Sequence, residues 1–78
     1  MSLTNNVEAQ WSRILDYLRN NPGGATTLEL TSKLDILRPG ARICELRREG
    51  HKIITHFVVE DTALGKHRNI AKYVLLPQ

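Results

Sequence analysis

At Gly50 the hydrophobic rhythm of this chain changes. Before it, apolar residues recur every three or four positions, as on one side of an α-helix. After it they alternate or run together in β-branched stretches, as in strands. A chain of 78 residues that is helical in its first part and extended in its second has few ways to close a core. The hairpin must lie against the helices, because neither layer can bury its apolar side alone. Residues 1–78 are therefore expected to form a single small α+β domain.

The helical part divides into three. Val7, Trp11, Ile14, Leu15 and Leu18 make one stripe over about residues 6–20, with Asn5 and Glu8 placed as a cap pair. The run Asn20-Asn21-Pro22-Gly23-Gly24 stops it. A second helix starts at Thr26 or Thr27, where Thr26 and Glu29 have the spacing of a capping box, and ends near Leu34. Asp35 suits a tight turn with left-handed backbone. Pro39 and Gly50 bracket a third helix, at the positions where a helix tolerates the one and favours the other. On it Ile43 and Leu46 face the core, helped by Ile36 and Leu37. Arg38, Ala41, Glu45 and Arg48 project farthest from it, with Arg42 and Glu49 beside them and Cys44 on the other flank. The stem of Arg47 packs on the core side. Strands over residues 51–60 and 69–76 flank a loop over 61–67. Phe57, Tyr73 and Leu75 are expected inside.

Charge points to a polyanion. The formal net charge is +3. Residues 38–52 carry five cations against two carboxylates, and residues 61–78 carry three against one. The excess thus sits on the third helix and the hairpin. Four aromatic residues are too few for a platform on which single-stranded bases stack. No apolar run approaches the length of a membrane span, and residues 1–7 lack the basic and apolar regions of a secretory signal. One cysteine builds no disulfide framework, so a cytoplasmic protein is expected. His51, His56, His67 and Cys44 have no metal-ligand spacing, and no set of nucleophile, base and acid can be named. Neither metal, cofactor nor enzymatic activity is expected.

The order helix, helix, helix, strand, loop, strand, with a basic third helix leading into the hairpin, resembles a winged helix-turn-helix domain. Residues 42–53, Arg-Ile-Cys-Glu-Leu-Arg-Arg-Glu-Gly-His-Lys-Ile, and the ending Lys72-Tyr73-Val74-Leu75 look like small helix-turn-helix proteins of phages and prophages. The resemblance spans about residues 11–75. Asp35 stands where many such turns carry glycine. The resemblance implies a binder of double-stranded DNA, a small transcriptional regulator or phage accessory factor, with helix 38–49 in the major groove and the 61–68 wing on the backbone. Arg38 or Arg42 would then pair with guanine, Gly40 and Ala41 would allow close approach, and Glu45 would accept from cytosine. Arg48, Thr26 and Thr27 would meet phosphates, and Lys66, His67 and Arg68 would grip the flanking backbone.

Both faces of the hairpin carry branched apolar residues, and three helices cover only one. Ile54, Val58, Ile70 and Val74 are left as an expected homodimer interface, unless residues 1–4 fold over them. The same surface supports a rival reading as a protein–protein adaptor. A second rival is an RNA-binding winged helix.

Overall fold

The computed structural model describes residues 6–77. Its elements are α1 (Val7–Asn20), β1 (Ala25–Thr26), α2 (Thr27–Leu34), α3 (Pro39–Arg48), β2 (Ile53–Thr62) and β3 (Gly65–Leu75). The helical half obeys its local signals closely. Asn6, not Asn5, caps α1, its side chain accepting from the Ala9 N–H at 2.8 Å; Asn5 and the arm over residues 1–4 lie outside the described residues. Thr26 caps α2 in a complete capping box with Glu29. Asp35 adopts left-handed backbone at φ 57°, and its N–H and that of Ile36 both turn back to the Leu30 carbonyl. That reversal points Ile36 into the core and Leu37 out of it, so Leu37 is exposed rather than buried. At the end of α3, Gly50 at φ 99° lets its own N–H reach the Arg47 carbonyl and the His51 N–H reach that of Leu46. This paired closure satisfies carbonyls that would otherwise be orphaned and launches the chain into β2.

Packing draws on every element. Ile14 and Leu18 from α1, Ala25 from β1, Leu30 from α2, Ile36 from the turn, Ile43 and Leu46 from α3, Ile53 from β2 and Tyr73 from β3 form the core. The sheet has three antiparallel strands in the order β1-β3-β2. The two-residue β1, which no sequence period announces, pairs Ala25 with Tyr73 and Thr26 with Lys72. Gly24 makes that approach possible. Its φ is 96°, and a Cβ there would lie 2.5 Å from the Tyr73 carbonyl oxygen.

The hairpin differs from expectation in two ways. Its strands run on through the expected loop, pairing Glu60 with His67, Asp61 with Lys66 and Thr62 with Gly65, so that only Ala63 and Leu64 turn. Thr62 secures this turn, its hydroxyl contacting the Leu64 N–H and the Gly65 carbonyl, each at 3.2 Å. Register shifts between Val58 and Glu60, where one residue of β2 faces two of β3 and Asn69 takes φ 60°. Second, Phe57 is not in the core but 68% exposed. The ten residues of β2 span about 34 Å, and the helices cover only the base of the hairpin. Inward-facing residues are buried as far as Ile53 and Tyr73; farther out the same side meets solvent.

Candidate nucleic-acid interface

The outward surface of α3 presents Arg38, Gly40, Ala41, Cys44 and Arg48, all of them exposed. Pro39 opens the helix with no side-chain cap bond at Arg38, so the arginine is not consumed as a cap. A Cβ added at Gly40 would meet nothing nearer than the Tyr73 hydroxyl, at 4.0 Å. Tyr73 thus supports the start of α3 from beneath, and burial raises its own pKa, against the lowering pull of Arg47.

Arg42 and Glu45 stand differently from the helical wheel. Glu45 is half-buried because α1 lies along that flank, and the Trp11 indole N–H donates to its Oε1 at 3.0 Å. Arg42 donates from Nη2 to Glu45 Oε2 at 3.1 Å, and its Nε lies 2.8 Å from Oε1 without the alignment of a hydrogen bond. The Arg42 side chain is 16% exposed and that of Glu45 30%. The two are tied to each other, and Glu45 to α1, which is a reason for their presence that needs no base pair. Arg47 holds α3 to the sheet, donating to the Ile53 carbonyl at 2.8 Å and to Thr55 Oγ1 at 2.6 Å.

The start of α2 is also occupied internally. Thr26 is 2% exposed, and its hydroxyl accepts from the Glu29 N–H at 3.1 Å. Thr26 therefore has no surface for a phosphate, and this corrects its expected role. Thr27 is half-buried. The Glu29 carboxylate accepts from the Thr26 N–H at 3.0 Å and from the Tyr17 hydroxyl at 3.2 Å, with Lys33 at 3.8 Å. Those donors, the Thr26 N–H foremost, hold the carboxyl below its ordinary pKa despite partial burial. The helix end thus already carries an anion, which repels a second one.

On the wing, Lys66, His67 and Arg68 are exposed along the first residues of β3. They are not the tip, which is Ala63 and Leu64, the latter 92% exposed. His67 Nε2 contacts Thr62 Oγ1 at 2.9 Å. Of the expected dimer surface, Ile54 is exposed, while Val58, Ile70 and Val74 are half-buried. The exposure of Phe57, Val59, Leu64 and Leu28 has no signal in the sequence, because it depends on how far the helices reach. Among the described residues no group of acidic, histidine or cysteine side chains gathers as for a metal. Nor is any helix among them long and apolar enough to cross a membrane.

Compared with known protein families, residues 9–78 match the one described as winged helix-turn-helix domain. No curated protein and no solved structure matches the chain significantly.

Proposed function

Since this chain belongs to the winged helix-turn-helix domain family, we propose that it binds double-stranded DNA in a sequence-dependent way. In this reading it is a small cytoplasmic regulator or phage accessory factor, one domain, acting as a dimer on two half-sites. The observation that carries the proposal is where the positive charge falls: on the exposed side of α3, with Arg38 and Arg48, and on the wing strand, with Lys66 and Arg68. Gly40 and Ala41 leave the start of α3 without bulk, which allows its backbone close to base edges. Arg38 reads bases, Ala41 meets a thymine methyl, and Arg48, Lys66, His67 and Arg68 contact phosphates. Thr27 adds at most a backbone contact. Arg42 and Glu45 position α3 against α1, and Arg42 reaches a base only when Glu45 releases it.

Three cations on phosphates per subunit, Arg48, Lys66 and Arg68, give a slope of log K against log salt of about −2.7, and twice that for a dimer. Fluorescence anisotropy on a random duplex at several salt concentrations measures it. A slope near zero overturns DNA binding. It would favour the adaptor reading, for which the exposed Phe57, Val59 and Leu64 argue. Equal affinity for control RNA would favour the RNA-binding rival. Selection of bound sites from random duplexes supplies the operator.

A further inference from the structure

Among the described residues β2 is an edge strand: the sheet order β1-β3-β2 leaves one side of it without a strand partner over ten residues. Such an edge is a template for another strand, and proteins usually guard it with lysine, proline or a bulge. β2 has no lysine or proline, and the extra residue of the hairpin's bulge lies in β3. Which backbone groups are free follows from two bonds. The Leu76 N–H donates to the Lys52 carbonyl at 2.8 Å, so Lys52 and the alternate residues after it, Ile54, His56, Val58 and Glu60, bond toward β3. Ile53, Thr55, Phe57, Val59 and Asp61 point the other way. At Ile53 the outward carbonyl is taken by Arg47. The open stretch runs from Thr55 to Asp61.

We propose that this edge pairs antiparallel with the β2 edge of a second copy, joining two three-stranded sheets across a two-fold axis at Val58. This proposal rests on the dimeric part of the preceding reading and not on DNA binding. The register is chosen by chemistry. Centred on Val58, the exposed Phe57 lies opposite Val59 of the second copy, His56 opposite Glu60, Thr55 opposite Asp61, and Val58 opposite itself. Phe57 and Val59, the exposed apolar residues of the open stretch, each gain an apolar neighbour, and Glu60 and Asp61 each meet a polar one. Centring one residue earlier would set Glu60 against Ile54 and Asp61 against the buried Ile53. Centring on His56 would need the Ile53 carbonyl that Arg47 already holds. Only the Val58 register uses the outward groups of Thr55, Phe57, Val59 and Asp61 and leaves Arg47 in place, forming about eight main-chain hydrogen bonds. The helical bodies then lie at opposite ends of the shared edge. The contact is isologous, as closed dimers require.

The test uses the full chain with Cys44→Ser, which removes its only thiol. Residues opposite themselves at a site not bonded to each other lie about 4.5 Å apart between Cα atoms, within disulfide reach. Val58→Cys is expected to yield a covalent dimer on mild oxidation, and Phe57→Cys, offset from its own copy, to stay uncross-linked. Val59→Lys, a guard at an exposed position, is expected to halve the sedimenting mass from twice 8.9 kDa to 8.9 kDa with an unchanged circular dichroism spectrum. Should Val59→Lys unfold, the Val58 and Phe57 cross-links decide alone. A wild-type dimer that survives Val59→Lys and does not cross-link through Val58 overturns the edge and leaves dimeric binding standing. A wild type that stays monomeric at high concentration overturns both.

Discussion

Glu45 separates a residue that reads DNA from one that holds the reader in place. In Glu45→Ala the Trp11 N–H loses its acceptor and Arg42, 16% exposed, loses its counter-charge. Leaving a largely buried donor unpaired costs about 1–3 kcal/mol, more for a charged one. Partial exposure of the pair lets water recover some of that, which leaves a loss of about 2 kcal/mol. For a domain of this size each kcal/mol lowers the melting temperature by about 4–8 °C, which gives a drop of about 8–16 °C. Glu45→Gln keeps an acceptor for Trp11 and forfeits only the charge, so it should lose about half as much. Urea unfolding followed by circular dichroism and by the fluorescence of Trp11, the single tryptophan, measures both variants. Freed from Glu45, Arg42 should also join the phosphate contacts and steepen the salt slope by about 0.9 on random DNA. The reasoning is refuted if Glu45→Ala is as stable as wild type, within about 0.5 kcal/mol, while its base preference relaxes. Glu45 would then face DNA and not α1.

Gly24→Ala should destabilise by about 2 kcal/mol or more, because the new Cβ meets the Tyr73 carbonyl at 2.5 Å and φ is 96°; equal urea midpoints for wild type and variant would show that β1 does not need this approach. Glu29 has a folded pKa below its ordinary 4.5, chiefly through the Thr26 N–H, so its contribution is complete above about pH 4.5 and is lost as pH falls through the lowered value. Acid titration of stability should accordingly be shallower in Glu29→Gln than in wild type, and identical profiles would contradict the capping box. Arg38→Ala should cost about 1–3 kcal/mol on the selected site and relax its sequence preference, whereas Lys66→Ala should weaken all duplexes alike and flatten the salt slope by about one. Equal losses on specific and random DNA for both variants would remove α3 as the reading helix.

Whatever a residue decides within its own turn of chain is legible in the sequence. Thr26 with Glu29, Asp35 in the left-handed turn, Pro39 at the first position of α3 and Gly50 past its end act over three or four residues, and each does in the structure what its chemistry dictates. The switch of period at Gly50 and the charge on α3 and the hairpin are equally local. The winged architecture follows from their order, and so does the inward side of Ile43, Leu46, Ile53 and Tyr73. Tertiary packing settles what depends on distance through space. Trp11 and Glu45 are 34 residues apart, and no spacing announces their hydrogen bond or the withdrawal of Arg42 from the outer face. β1 is two residues long, too short for any period, and exists because β3 lies beside it. Phe57 alternates in step with Ile53 and yet meets solvent, because alternation fixes which side a residue faces and not how far along the strand the helices reach.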